Sequence, residues 1–125
     1  AQPDRPVLCF TGDGGIWYHL SELDTAMKCG INMVILVNNN HSLNQEKGGV
    51  EAVYGGQTSG SDELWLFPDA DFAGMAKSMG CFGITVHKPS DLANALDQAF
   101  ASGKPAVVDV KTHLDGIAPR SWTPV

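Results

Sequence analysis

The stretch Thr11-Gly12-Asp13-Gly14-Gly15 sets one carboxylate among three glycines where an apolar, β-prone run gives way to helical spacing. A tight hairpin would also use Asp-Gly, for its positive φ angles. At a strand-to-helix junction the same residues make a phosphate cradle, because backbone N–H groups stay free at the helix start and glycines admit an anion close to the backbone. One strand–helix–strand step later, Asn38, Asn39 and Asn40 close a second apolar run. An asparagine-rich strand end that bonds only its own turn is the simpler reading of that run. If the two strands lie in one parallel sheet, however, Asp13 and the asparagines converge on a single crevice. A carboxylate, a carboxamide oxygen and a backbone carbonyl, completed by phosphate oxygens and water, form the octahedral oxygen shell that Mg²⁺ favours. The chain has no G-x-x-x-x-G-K-[ST], and TGDGGI does not fit G-x-G-x-x-G, so the P-loop and dinucleotide fingerprints are excluded.

The elements that must position these residues follow from periodicity. RPVLCFT (5–11) and NMVILVNNN (32–40) read as buried strands, the second covered on both faces. Between them Leu20, Leu23, Ala26 and Met27 give helical spacing over 16–29, closed by Gly30. Residues 41–68 are rich in glycine and polar residues and read as a long functional loop with a short helix near 42–53. A helix is expected over 68–80 through Phe72, Met75, Ala76 and Met79, and a strand over 82–88. A helix over 89–103 carries a Leu92, Leu96, Ala99 and Phe100 stripe, and a last strand covers 105–112. Such alternation predicts a mostly parallel sheet with helices on both faces, which binds ligands at the carboxyl ends of its strands.

At 125 residues, 43% apolar and 18% charged, the chain is one globular domain's worth. Its 8 basic against 14 acidic residues, net −6, disfavour nucleic acid and anionic membranes as partners. No apolar stretch approaches the roughly 20 residues of a membrane helix. Cys9, Cys29 and Cys81 form no C-x-x-C pair and read as reduced core thiols of a cytoplasmic protein. The four histidines show no zinc-binding spacing, and only His41 adjoins the candidate metal loop. Trp17 reads as a core aromatic, and Trp65-Leu66-Phe67 as an apolar loop cluster suited to an interface or to loop packing.

The pattern GDGG…NNN resembles the thiamine diphosphate signature, GDG followed after a spacer by NN, of the acetolactate synthase, pyruvate oxidase and benzoylformate decarboxylase family. RPVLCFTGDGG, ELDTAMKCGINMVILVNNN and the segment from PDADFAGMAKSMG to PAVVDV resemble the C-terminal domain of those enzymes, so the likeness covers all but the tail. It implies a three-layer α/β/α fold, truncated at its N-terminal side, with thiamine diphosphate and Mg²⁺ as cofactors. It makes Asp13 a metal ligand, with Asn40 the second if the pair is Asn39-Asn40; Asn38-Asn39 is the other way to read the pair. The Ser42 backbone carbonyl would be the third, and Gly12, Gly14 and Gly15 would lie near the diphosphate. Where relatives often carry glycine two places after Ser42, this chain has Asn44.

In the family, the glutamate that activates the cofactor comes from a separate pyrimidine-binding domain, usually on a neighbouring subunit. No glutamate of this chain takes that role. The chain is therefore expected to be a single incomplete domain over 1–125, with a tail over 113–125, that holds the diphosphate half of a site. It would pair with a pyrimidine-binding domain in a homodimer-like arrangement to decarboxylate or carboligate 2-oxo acids, and would be inactive alone. The competing expectation is a non-catalytic fold remnant that acts as a protein interaction module.

Overall fold

The computed structural model describes residues 5–55 and 60–116. Strands β1 (Leu8–Gly12), β2 (Val34–Asn39), β3 (Phe82–Val86) and β4 (Ala106–Lys111) form one parallel sheet in the order β1-β2-β4-β3. The helices are α1 (Asp13–Trp17), α2 (Glu22–Cys29), α3 (Lys47–Tyr54), α4 (Phe72–Ser78) and α5 (Leu92–Ala101). None is long and apolar enough to cross a membrane.

Strand alternation sorts the core into two layers. On one face Val37 and Val107 pack with Ile16 of α1, Leu23 of α2, and Phe72 and Ala76 of α4. On the other, Val34, Val86, Ala106 and Val108 pack with Ala95 and Ala99 of α5. This is the α/β/α sandwich expected from the sequence. The middle strands β2 and β4 are the most buried, as continuous apolar runs require.

Two local devices set the helix ends. Gly30, at φ 61, closes α2 while Ile31 N donates to Ala26 O at 2.9 Å. Asp71 opens α4 by accepting from Gly74 N at 2.7 Å. Close packing shows at Gly83 of β3, where an added Cβ would run into the Ala73 carbonyl of α4.

Several sequence expectations shift. The single helix expected over 16–29 is two, with α1 starting at Asp13 itself. Short bonds such as His19 N to Ile16 O and Glu22 N to His19 O turn the chain between them. The helix expected over 68–80 is confined to Phe72–Ser78, and a one-turn 3₁₀ segment, Pro89–Asp91, precedes α5. The first strand is not buried: Leu8 is 48% and Phe10 71% exposed, because β1 is a sheet edge with only part of its surface covered. Cys9 and Cys29 are likewise exposed, leaving Cys81 as the buried thiol. Within the loop cluster Trp65 is buried and Leu66 and Phe67 are half-buried, which fits loop packing, whereas Trp17, expected in the core, is 45% exposed at the end of the short α1. Residues 117–125 of the expected tail lie outside the described residues, as do 1–4 and 56–59.

Candidate functional site

At the carboxyl ends of β1 and β2 lies a cleft of about 300 Å³ lined by Gly12, Asp13, Gly14, Gly15, Asn38, Asn40, Ser42 and the chain from Leu43 to Glu46. β1 delivers Gly12 in extended conformation (φ −85, ψ 168), and the chain turns into α1 at Asp13. Asp13 is 3% exposed; its Oδ1 accepts from Gly14 N at 2.8 Å and its Oδ2 from Ser42 N at 2.9 Å. A buried carboxylate is tolerable only with such partners. An ionised carboxylate still has lone pairs to offer once both oxygens have accepted one bond each.

The glycines differ in what surrounds them. A Cβ at Gly12 would meet nothing within 4 Å, so this position opens onto the cleft. At Gly14 a Cβ would come within 2.5 Å of Leu43 Cδ2, and at Gly15 within 2.5 Å of Thr11 Oγ1. The backbone there is approached so closely that only glycine fits without adjustment.

The three asparagines divide by strand alternation. Asn38 and Asn40 line the cleft, and the Asn40 Oδ1 accepts from Ser42 Oγ at 3.0 Å. Asn39, 1% exposed, faces the α4 layer instead. Its Nδ2 donates to Asp109 Oδ1 at 2.9 Å and to Ala70 O at 3.1 Å, and its Oδ1 accepts from His41 N at 3.4 Å. Asp109 is fully buried, and its Oδ2 accepts from Phe72 N at 3.2 Å and lies 3.3 Å from Lys111 Nζ. Lys111 also reaches Asp69 at 2.8 Å. Burial works against the Lys111 ammonium, but the hydrogen bond to Asp69 and the Asp109 carboxylate outweigh it and lift its pKa above the ordinary lysine value. The same hydrogen bond from Lys111 holds the Asp69 carboxyl below its usual range.

Past Asn40 the chain reverses at His41, whose φ of 59 is in the left-handed region. The returning segment Trp65–Phe67 clamps this turn: Leu43 N donates to Trp65 O and Phe67 N to His41 O, both at 2.7 Å. The His41 Nδ1 is buried without a hydrogen bond among the described residues and sits 3.4 Å from Asp69 Oδ1.

Gly12, Asp13, Gly14, Gly15, Asn40 and Ser42, the six residues selected from the sequence, thus surround one cleft. Sequence reasoning missed the Asn39–Asp109 pair, the left-handed His41 and the Leu43 contact on Gly14. An aspartate inside the apolar run AVVDVK was the one available signal for the first.

The cleft's charge decides what it admits. Among the described residues its lining carries the carboxylates of Asp13 and Glu46 and no lysine or arginine. A diphosphate would meet backbone N–H groups and glycine surface, but also two negative charges, so it fits only together with a divalent cation. The donor set is all oxygen, which suits Mg²⁺ rather than a softer metal. No group of three or more histidine, cysteine, aspartate or glutamate side chains that could hold a metal occurs among the described residues. A cation here would therefore rely on amide and backbone oxygens beside Asp13.

Comparison with known proteins bears on the whole arrangement. Residues 1–110 match the family model described as thiamine pyrophosphate enzyme, C-terminal TPP binding domain. The chain is 37% identical over 115 residues to an acetolactate synthase large subunit of Haemophilus influenzae, covering 92% of this chain and 19% of that protein. It is 33% identical to a 2-hydroxyacyl-CoA lyase of Arabidopsis thaliana over 88% of this chain and 19% of the relative. The solved thiamine diphosphate-dependent 4-hydroxybenzoylformate decarboxylase of Rhodococcus jostii RHA1 superposes with a TM-score of 0.77 at 30% identity, over 90% of this chain and 21% of that one. The chain thus spans about a fifth of the length of these relatives.

Proposed function

This chain belongs to the family of C-terminal TPP-binding domains of thiamine pyrophosphate enzymes, and we propose that it holds the Mg²⁺–diphosphate half of an active site acting on 2-oxo acids. Asp13 would bind the metal through its free lone pairs, Asn40 through Oδ1 and Ser42 through its backbone carbonyl, while Gly12, Gly14 and Gly15 would offer close backbone approach to the diphosphate. Thiamine diphosphate brings the capacity to add to a 2-oxo acid carbonyl and to store the electron pair left when CO₂ departs, which protein side chains lack. The chain's own residues hold, orient and neutralise.

The observation that carries this reading is the cleft's charge: glycine backbone open to a polyanion, lined among the described residues by acidic side chains and no basic ones. A cation between the acidic side chains and the polyanion would reconcile the two. The half-site reading rests on the sheet. β1 is apolar on both faces yet covered by a neighbouring strand on one side only, with Leu8 and Phe10 exposed, so further structure fits against it. A pyrimidine-binding domain of a partner chain, in a homodimer-like assembly in the cytoplasm, completes the reading. The chain alone would then bind cofactor weakly and turn over no 2-oxo acid.

Calorimetric titration with thiamine diphosphate, in Mg²⁺ and in EDTA, tests it. Binding that needs the metal and disappears in Asp13→Ala is expected. Binding indifferent to both metal and Asp13 would refute the assignment.

A further inference from the structure

We infer that Asp109, remote from the cleft surface, is a positioning residue that sets the geometry of the oxygen cluster through Asn39. This rests on the cleft being the metal–diphosphate half-site proposed above. The route can be followed bond by bond. Asp109 Oδ1 fixes the Asn39 side chain, and Asn39 Oδ1 receives the His41 N–H. That contact draws the chain into the left-handed turn at His41. The next residue, Ser42, then presents its N–H to Asp13 Oδ2 at 2.9 Å and its hydroxyl to Asn40 Oδ1 at 3.0 Å. Asp109 anchors the other end of the route as well, since its Oδ2 accepts the first N–H of α4 and faces Lys111.

Ordinary packing does not require this arrangement. Asp109 sits on a central strand between Val108 and Val110, with Val107 of the same face in the core, where apolar side chains in place of Asp109 and Asn39 together would also pack. A carboxyl side chain with no access to water is retained at a cost that its neighbours must offset. Besides holding the first N–H of α4 and facing Lys111, it gives the Asn39 amide a defined orientation, and that amide sets the turn from which two of the three proposed metal oxygens project. Groups behind a metal site that orient its ligands commonly govern affinity in this manner.

The test uses the full chain with three changes: Asp109→Asn, Asn39→Asp, and both together. In the double variant the amide and carboxylate exchange places, so a donor–acceptor pair across β2 and β4 is regained. Two readouts are taken: Mg²⁺-dependent thiamine diphosphate binding, and hydrogen exchange of individual backbone amides. Each single change is expected to weaken binding by about 10–100-fold, the usual range for groups that orient metal ligands. It is also expected to speed exchange at Ser42 by about tenfold while Leu36 and Val108 keep their rates, since local opening is separable from global unfolding. The double variant regains the bond between positions 39 and 109 but not the donation to Ala70 O, so it should recover part of both losses.

If Ser42 exchange does not change, or rises equally throughout the sheet, Asp109 is merely structural and the inference fails. It fails too if the double variant shows only the sum of the single losses. Should the unaltered chain bind no thiamine diphosphate while Ser42 exchange responds and recovers as described, the cofactor reading falls and the control of the turn by Asp109 stands.

Discussion

His41 offers the cleanest energetic test of the turn that presents Asn40 and Ser42. Its φ of 59 places a side-chain-bearing residue in left-handed conformation. Such a residue costs about 1–2 kcal/mol relative to right-handed backbone, through the approach of Cβ to the carbonyl oxygen. Glycine escapes that cost but loses about 0.5–1 kcal/mol more chain entropy on folding than alanine. Comparing His41→Gly with His41→Ala removes the imidazole from both, so its approach to Asp69 cancels. The glycine variant should then be the more stable by about 0.5–1 kcal/mol, the reverse of the order found inside helices and strands. For a domain of this size that is about 2–4 °C in melting temperature. Urea unfolding with unchanged m-values is the assay. An alanine variant as stable as the glycine variant would show that the turn is not held left-handed in solution, and the bond route through Asn39 would lose its middle step.

Other expectations follow from single contacts. Gly83→Ala should destabilise by about 3 kcal/mol, at the upper end for overpacking, because the new methyl meets a helix carbonyl rather than a movable side chain; near-wild-type urea midpoints would refute the close approach of α4. A thiol reagent should label Cys9 and Cys29 in the folded chain and Cys81 only after unfolding, so three fast-reacting thiols would contradict the burial described. Burial raises the Cys81 thiol above its ordinary value, so its neutral form favours the folded state. That contribution is complete below the unfolded thiol's pKa and is lost as pH rises through the raised one. Cys81→Ala should therefore flatten the alkaline limb of the stability profile, and an unchanged limb would argue against it.

Much of this was legible in the sequence where one pattern maps to one structure. The apolar run of β2, the Gly30 stop and the alternation of strands with helices each gave the right element, because burial on both faces and left-handed caps have few other solutions. The six cleft residues were legible for the same reason: a carboxylate among glycines at a strand end has limited uses. β1 was misjudged because an apolar composition reports what a strand needs, and the edge position that leaves it exposed is a property of the sheet. The bond between Asn39 and Asp109 escaped notice because it joins residues far apart in the chain. The left-handed conformation of His41 escaped because such backbone at a histidine leaves no compositional trace.

The three consecutive asparagines also bear on folding fidelity. Val34–Val37 is apolar on both faces, so β2 could slide one place along its neighbours and trade one apolar set for another at small cost. Asparagine would still face Asp109, because Asn38 would enter the place of Asn39 and Asn39 that of Asn40. Asn40 would even suit the left-handed position better than histidine. What resists the slip lies beyond the strand. His41 would have to occupy the place of Ser42, bringing an imidazole into a 6% exposed position that holds a hydroxymethyl group against Asn40. A small residue at 42 is thus a stop that tells the chain which of its near-identical pairings is native, and a bulkier one would blur that choice before it ever affected a ligand.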